Sequence, residues 1–495
     1  MKYMAITPFY NKDITLFAET NFRNQRKPFG IKRADMEKHM YVLGKTGTGK
    51  TSMLAHMIVQ DMFAGRGVIL IDVTGGLSDQ MLHYVPESRL KDTVYWDPTD
   101  RDYQFVFNCL DDLGAENERY TVVSGLVNFF RGFWRDVWGA RLEYVLSNAI
   151  LTLLYNKEMT LLHIIPLLTD PKFRAEAIEH VTDPVLSRFW THEFGKDGEG
   201  FLRSSIEPIR DKMGQLASNP ILRNTIGFSR SRFNFDDLLN KKKIVICSFN
   251  KHEIGADTAK FLGSTFLLRL LMRASERNEA REVYFYIDEF HELAFPWLEE
   301  FIGKSAHGIR FVLSHQYLSQ ISDNMRDVIF GNVGTIIAFR VGSSDAKSMS
   351  DEFGPTVSEH NLTTLPPYTI ILKLLIDGKV SPPFSAVTLP PLPKVGLKER
   401  IIKESRAMYG EPRKEIEAKI AKSLGIPEIS RTVQEEIQTN NAVSSEKSLV
   451  KEFREKIAAI THISANLRKE SDYKRSVKKS EKLFQALAPG KEIKF

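Results

Sequence analysis

A short segment near the start of the chain combines glycines, a lysine and a threonine at a spacing that suits phosphate binding. The segment matches the pattern G-x4-G-K-[ST] and consists of Gly44, Lys45, Thr46, Gly47, Thr48, Gly49, Lys50 and Thr51. Its glycines let successive backbone N–H groups point at phosphate oxygens. Lys50 supplies a mobile positive charge to the β- and γ-phosphates, and the Thr51 hydroxyl suits Mg²⁺. The segment therefore predicts a site for ATP and Mg²⁺, and an accidental glycine-rich turn is the alternative.

Two adjacent acids follow an apolar run farther along the chain. Asp288 and Glu289 come directly after VYFYI, which is typical of a buried strand. Asp288 is placed to hold Mg²⁺ through water, and Glu289 is placed to act as general base for the attacking water. Since GTPases typically position water with Gln, the acid pair favours ATP hydrolysis coupled to mechanical work. A plain strand end is the structural alternative for both acids.

Two further polar residues also follow apolar runs. Gln316 comes after RFVLSH, and Arg340 comes after TIIAF. The Gln316 amide is suited to contact the γ-phosphate, and the Arg340 guanidinium is suited to bidentate contact with transition-state phosphate charge. In ring ATPases such an arginine comes from the neighbouring subunit. The alternatives are a surface amide for Gln316 and a structural ion pair for Arg340.

The elements that must position these residues are short apolar runs separated by helical patterns. Buried parallel strands are predicted at 40–44, 68–72, 244–248, 283–288, 310–314 and 335–340. Helical patterns between them, such as residues 51–63 and 258–275, favour an α/β domain with a mainly parallel sheet. Ligands of such sheets bind at the carboxyl ends of the strands.

The alternation of strands and helices breaks in the second quarter of the chain. Residues 115–227 have helical patterns throughout, which predicts an all-α insertion. A strand-like piece at 369–378 precedes a proline cluster that marks the end of the compact domain. The expected organisation is the N-terminal part of the ATPase domain (1–114), the insertion (115–227), the C-terminal part of the ATPase domain (228–394) and a basic, helical or partly disordered tail (395–495).

Charge and cysteine content restrict the class of protein. The 495-residue chain has a net charge of +6, and residues 396–495 hold 22 Lys and Arg against 15 Asp and Glu. This excess of positive charge indicates an anionic partner, with a solvated tail as the alternative.

Two cysteines in apolar surroundings fit a reducing cytosol. Because no stretch reaches about 18 uncharged apolar residues, and no signal peptide is evident, we expect a cytoplasmic protein with no intrinsic membrane span.

Several blocks, in order over residues 14–390, resemble the motor domain of type IV secretion coupling proteins and their soluble relatives in the FtsK–HerA superfamily. The blocks are ITLFAETNFRN with the run through the P-loop, YWDPTD (95–100), WGARLEYVLSNAILTLLY (138–155), IDEFHEL (287–293), LSHQYLSQI (313–321) and GNVGTIIAFRVGSSDA (331–346). Their ordered combination is specific, although no block beyond the P-loop is decisive alone.

The resemblance implies a RecA-like P-loop ATPase domain that forms a homo-hexameric ring and moves DNA through its centre or into a secretion channel. It implies relaxase or channel proteins as partners, and a peripheral position at the inner membrane. The implied roles are nucleotide and Mg²⁺ binding for Lys50 and Thr51, the second acidic motif for Asp288 and Glu289, γ-phosphate sensing for Gln316 and a trans arginine finger for Arg340.

Two departures from the family pattern stand out. Relatives often carry Asp-Pro-His-Gly-Asp after the second strand, whereas residues 72–76 are Asp-Val-Thr-Gly-Gly here. Membrane-bound coupling proteins also carry N-terminal transmembrane helices, and this chain begins almost at the motor domain.

Three functions stay open: a DNA translocase, a secretion-assembly ATPase acting on protein substrates, and a nucleic-acid-binding scaffold with weak ATPase. Stimulation of ATP turnover by DNA would distinguish them.

Overall fold

The strands and helices alternate along the chain outside one long helical segment. A computed structural model describes residues 12–424, except 22–24, 112–117, 195–197, 277–280, 294, 304–307, 391, 393 and 395. The strands are β1 (Ile14–Thr20), β2 (Pro28–Lys32), β3 (Met40–Leu43), β4 (Gly67–Asp72), β5 (Thr93–Trp96), β6 (Tyr103–Phe105), β7 (Ile244–Ser248), β8 (Val283–Asp288), β9 (Ile309–His315), β10 (Thr335–Ala338), β11 (Thr369–Lys373), β12 (Leu375–Ile376), β13 (Lys379–Val380), β14 (Phe384–Thr388) and β15 (Gly410–Pro412). The predicted tail beyond residue 424 lies outside the described residues.

The helices fall before, within and after the long helical segment. They are α1 (Lys50–Phe63), α2 (Gly76–Met81), α3 (Glu118–Phe133), α4 (Ala140–Tyr155), α5 (Ile164–Thr169), α6 (Pro171–Ile178), α7 (Pro184–Arg188), α8 (Gly198–Ser218), α9 (Pro220–Ile226), α10 (Phe235–Asn240), α11 (Lys251–Ile254), α12 (Ala256–Ser275), α13 (Pro296–Gly303), α14 (Asp323–Asn332), α15 (Ser343–Phe353), α16 (Glu359–Thr364), α17 (Lys398–Tyr409) and α18 (Arg413–Ser423).

Among the described residues, eleven strands form one sheet in the order β2-β1-β14-β11-β10-β3-β9-β8-β4-β7-β5. The pairs from β10 to β5 are parallel. The pairs from β2 to β10 are antiparallel. This confirms the predicted α/β fold with a mainly parallel sheet, and all six predicted strands are present. The carboxyl ends of β3, β8, β9 and β10 therefore meet at one edge of the sheet, which brings the predicted site residues together.

Both faces of the parallel sheet are buried, and alternate side chains of each strand contribute to two separate cores. In β8, Phe285 and Ile287 belong to one core, whereas Tyr284 and Tyr286 belong to the other. Strands that are buried on both faces have nearly continuous apolar sequences, which explains why the sequence located them. The helical segment, α3 to α9, packs into the first core, and α1 and α2 pack into the second.

Helix α17 of the predicted tail docks on the outer strand of the sheet, and α18 contacts α9 and β15. The Ser405 hydroxyl of α17 accepts a hydrogen bond from the Tyr95 amide of β5 (2.8 Å) and donates one to the Tyr95 carbonyl (3.1 Å). β15 then pairs with β6 in an antiparallel register. Ile401 of α17 and Ile416 of α18 are buried.

The compact unit includes α17 and α18. The segment is rich in Lys and Glu, and a few apolar residues at helical spacing are enough to bury one face of each helix.

Candidate functional site

The phosphate-binding segment forms the connection between β3 and α1. Gly49 has a φ of 115°, and a Cβ at this position would lie 2.7 Å from the ring of Tyr368, so only glycine fits without a shift. Gly47 has a φ of 76° and open space where a side chain would begin. Helix α1 begins at Lys50, so its positive dipole end faces the segment. This strand, glycine-rich turn and helix are the context that the motif requires.

The Lys50 side chain is buried at the base of this turn. Its Nζ donates hydrogen bonds to the carbonyl oxygens of Gly44 (2.5 Å) and Lys45 (3.2 Å). Burial lowers the pKa of the Lys50 ammonium, and the nearby carboxylates of Glu289 and Asp288 oppose that effect. Lys50 is thus held between the turn and the two acids that the sequence assigned to the same site.

Asp288 ends β8 and faces Thr51 of α1. The Thr51 hydroxyl donates to Asp288 Oδ2 at 3.2 Å, and the Ser314 hydroxyl donates to Asp288 Oδ1. Burial raises the pKa of the Asp288 carboxyl, against the effect of the Ser314 hydrogen bond, and the Asp72 carboxylate raises it further. A hydroxyl and a carboxylate facing each other at the strand ends suit a hydrated Mg²⁺ ion, which usually takes only one or two protein ligands.

Glu289 occupies an unusual backbone conformation beside Asp288. Its φ is 53°, in the left-handed region that few residues other than glycine adopt. Its Oε1 accepts a hydrogen bond from Gln316 Nε2 at 2.9 Å. Burial raises the pKa of the Glu289 carboxyl, and the Gln316 hydrogen bond opposes this. A raised pKa moves a carboxylate toward the range in which it can accept a proton from water.

Gln316 and Arg340 lie on either side of the strand that leads into the P-loop. Gln316 follows β9 and contacts Glu289 directly. Arg340 lies two residues beyond the end of β10, and its carbonyl accepts a hydrogen bond from the Lys45 amide at 2.9 Å. The described structure therefore places both residues beside the P-loop of their own chain. Phosphate sensing and trans catalysis stay predictions.

Asp72, in the segment that departs from the family pattern, has a local structural role. It ends β4 directly opposite Asp288 in the register of β8. Its carboxylate accepts hydrogen bonds from the Thr74 amide (2.8 Å), the Thr74 hydroxyl (2.7 Å) and the Ser78 amide (2.8 Å). These bonds close the turn into α2, so the carboxylate of Asp72 is satisfied within its own loop.

Several residues near the acids were not found by sequence reasoning. Ser314 contacts Asp288, and the side chains of His291, His315, Gln320 and Tyr41 lie close behind Glu289 and Gln316. The block LSHQYLSQI contains three of them, but its sequence does not show which side chains face β8. Their positions follow from the pairing of β8 with β9.

The fold and part of the sequence match known proteins. Residues 28–183 match the family model of the type IV secretion-system coupling protein DNA-binding domain. The unbound bacterial conjugative coupling protein TrwB superposes with a TM-score of 0.58 and 14% identity, over 80% of this chain and 92% of that one. The chain resembles the type IV secretion coupling proteins. Its fold is accordingly the RecA-like α/β fold of TrwB, as the sequence predicted.

Two other solved structures give similar results. TrwB in complex with ADP and Mg²⁺ superposes with a TM-score of 0.55 and 14% identity, over 79% of this chain and 98% of that chain. VirB4 of Thermoanaerobacter pseudethanolicus superposes with a TM-score of 0.51 and 12% identity, over 78% of this chain and 98% of that one. No curated protein sequence matches the chain significantly. Across the described residues, no helix is both long enough and apolar enough to cross a membrane.

Proposed function

We propose that the protein is an ATP-hydrolysing motor that translocates DNA, related to the coupling proteins of conjugation and type IV secretion. The observation that carries the proposal is the meeting of the P-loop with the acid pair, in which Thr51 contacts Asp288 at 3.2 Å on a fold shared with TrwB. The family model of a coupling-protein DNA-binding domain supports DNA as the cargo.

The residues of the P-loop and the strand ends fit ATP and Mg²⁺. The backbone of residues 44–51 would surround the phosphates, and Lys50 would neutralise charge on the β- and γ-phosphates. Mg²⁺, held by Thr51 and through water by Asp288, would neutralise further charge on the phosphate oxygens. The 3.2 Å contact between the Thr51 hydroxyl and Asp288 supports this arrangement.

Two residues would complete the hydrolytic site. The Glu289 carboxylate would accept a proton from the attacking water, because burial raises its pKa and its position is one residue beyond Asp288. The Gln316 amide would contact the γ-phosphate. In this structure the same amide donates to Glu289, so Gln316 couples the phosphate position to the general base.

The assembly and partners follow from the resemblance. We propose a homo-hexameric ring with DNA passing through its centre, Arg340 acting on a neighbour's nucleotide, and relaxase or secretion-channel proteins delivering or receiving the DNA. The site of action would be the cytoplasm, at the inner face of the inner membrane. Because a shared fold does not fix the substrate, a protein-moving assembly ATPase is the alternative function.

ATP turnover with and without DNA tests the proposal. Turnover should rise when single- or double-stranded DNA is added, in a sample whose mass in solution shows an assembly larger than a monomer. Lys50→Ala should abolish turnover and weaken ATP binding, since it removes the mobile cation at the β- and γ-phosphates. Turnover that is indifferent to DNA, but lost in Lys50→Ala, would favour the protein-moving alternative. Wild-type turnover in Lys50→Ala would place the active site elsewhere.

A further inference from the structure

One carboxylate oxygen of Glu289 and one ring nitrogen of His291 are buried close to each other. Glu289 Oε2 lies 3.4 Å from His291 Nδ1. Neither atom has a hydrogen-bond partner within the described residues. Buried polar atoms of this kind are rare in native proteins, and each needs a physical explanation. The distance is slightly longer than an ordinary N–H···O bond, as is common for catalytic hydrogen bonds before substrate binds.

The neighbouring hydrogen bonds determine which nitrogen of His291 carries the proton. Gln320 Oε1 accepts from the backbone amides of Gln316 (3.0 Å) and Tyr317 (3.0 Å), which fixes the orientation of the Gln320 amide. Gln320 Nε2 must then be the donor in its 3.0 Å contact with His291 Nε2. His291 Nε2 therefore accepts, and in the neutral ring the proton lies on Nδ1, facing Glu289.

The other neighbours of the ring do not change this assignment. Glu292 Oε1 lies 3.7 Å from His291 Nε2, too far for a hydrogen bond, and is paired with Lys251. Burial lowers the pKa of His291, against the effect of the Glu292 carboxylate, which is consistent with a neutral ring. In a neutral His291 the Nδ1–H group is thus a potential donor that lies 3.4 Å from Glu289 Oε2.

We propose that His291 is a positioning residue that holds the second carboxylate oxygen of Glu289, the general base of the proposed function. The turn after β9 then controls both oxygens, because Gln316 binds Oε1 directly and Gln320 orients the His291 donor toward Oε2. Glu289 needs this support, since its left-handed backbone persists only where the surrounding contacts hold it in place.

The two donors have different tasks during turnover. When the Gln316 amide turns to the γ-phosphate, it leaves Oε1 free to accept the proton of the attacking water. His291 would close on Oε2 and keep the carboxylate aimed at that water. Loss of the His291 donor should therefore slow the hydrolytic step without weakening nucleotide binding.

The test replaces His291 by Asn or by Gln, because the amide nitrogen of each can take the place of one nitrogen of the imidazole ring. In His291→Asn the side-chain amide occupies the place of Nδ1 and can still donate to Glu289. In His291→Gln it reaches the place of Nε2 and meets Gln320 instead. We expect kcat to fall roughly tenfold or more in His291→Gln, the usual effect of losing a hydrogen bond to a charged group, and clearly less in His291→Asn. The affinity for a fluorescent ATP analogue should stay within about twofold of wild type in both variants, because neither change touches the P-loop.

A double-variant cycle shows whether His291 acts through Glu289. Adding His291→Gln to Glu289→Gln should produce little further loss, since residues that act as a unit are not additive. Equal turnover in the wild type and His291→Gln, a lower kcat in His291→Asn than in His291→Gln, or full additivity with Glu289→Gln would each overturn the inference. A wild-type protein without ATP turnover would instead overturn the proposed function. The thermal unfolding midpoint of every variant separates these outcomes from misfolding.

Discussion

Glu289 combines a strained backbone with a buried carboxylate. Its φ of 53° and the burial that raises its pKa both cost free energy. The Gln316 hydrogen bond offsets part of this cost. Strain and shifted pKa values concentrate at functional sites, so their coincidence at Glu289 agrees with its proposed role as general base.

The variant Glu289→Gln tests whether Glu289 acts as general base or has only a structural role. The substituted amide keeps the shape of the side chain, and its carbonyl can still accept from Gln316. It cannot take a proton from water, so turnover should fall by roughly 10²-fold or more while ATP stays bound. Single-turnover kinetics and equilibrium binding of ATP measure the two quantities. Parallel loss of binding and turnover would make Glu289 a structural residue.

The site residues that could be predicted from the sequence were those with a local signal. The P-loop is contiguous, and Asp288 and Glu289 directly follow a strand-like run. His291 and Gln320 carry no such signal, because their function depends on the pairing of β8 with β9 and on the orientation of one amide. Side-chain direction of this kind is a tertiary property that the spacing of residues does not encode.

At the scale of elements, His39 joins the start of β3 to β9. Its Nδ1 accepts a hydrogen bond from the Phe311 amide at 3.2 Å, and its ring packs against Phe311. Burial lowers the pKa of His39 to about 4, and the positive charges of Arg310 and Lys38 act in the same direction. Protonation of Nδ1 would remove the acceptor, so folding and a neutral His39 are linked.

This linkage predicts acid sensitivity with a definite sign. The folded pKa lies below the ordinary value of 6.5, so the stabilisation is fully present above about pH 6.5 and is lost as pH falls toward 4. At pH 4.5 the loss from this site is roughly 2–3 kcal/mol. His39→Asn keeps an acceptor for the Phe311 amide and tolerates the positive φ of 60°. Urea unfolding at pH 7 and 4.5 should therefore show a smaller decrease in the free energy of unfolding for the variant than for the wild type. Equal drops would mean that another group controls the acid response.

The buried parallel strands other than β5 were predictable, whereas of the antiparallel extension only β11, within the strand-like piece at 369–378, was predicted. Strands β3, β4, β7, β8, β9 and β10 each contain at least three consecutive apolar residues, because both faces of the sheet are covered there. β1, β2 and β14 contain exposed or half-exposed positions and depend on partners that are distant in the sequence. Strands of that type are defined by pairing more than by composition.

At the scale of the whole molecule, the basic C-terminal region divides into two parts. Four of the eight cations in α17 and α18 form ion pairs within the compact unit: Lys398 with Asp79, Arg400 with Glu87, Arg406 with Asp100 and Arg413 with Glu417. Residues 426–495 carry 14 Lys and Arg against 10 Asp and Glu. The net charge is thus +4 in residues 426–495 and +3 in residues 396–425, where half of the cations are already in ion pairs.

Deletion of residues 426–495 should lower DNA affinity and flatten its salt dependence. Each contact between a cation and a phosphate releases counterions, so fewer contacts reduce the slope of log K against log salt. Binding should tolerate changes of DNA sequence, because phosphate contacts carry no base information. Titrations at several salt concentrations measure the slope. Deletion from residue 397 is the control, because it also removes α17 and α18 and should lower the thermal unfolding midpoint. An unchanged slope would show that 426–495 does not contact DNA.

Mixing two inactive variants tests the assembly and the role of Arg340. An Arg340→Ala subunit keeps its P-loop, and a Lys50→Ala subunit keeps Arg340. If Arg340 acts on a neighbour, exchange of subunits should restore part of the ATP turnover, because such arginines contribute roughly 10³-fold or more. Arg340→Lys should substitute poorly, since an ammonium lacks the planar fork. No recovery in an exchanged sample would assign Arg340 to its own P-loop, beside which its carbonyl lies.

The contact between Ser405 and Tyr95 has a consequence for synthesis of the protein on the ribosome. One hydroxyl satisfies both the amide and the carbonyl of Tyr95 on the outer strand β5, and it lies 310 residues later in the chain. Until α17 has been translated, the amide and carbonyl of Tyr95 on the outer side of β5 lack their hydrogen bonds to Ser405. An open strand edge is a template for pairing with other chains. We therefore expect nascent or C-terminally truncated chains that end before residue 398 to depend on chaperones more than the full-length protein does.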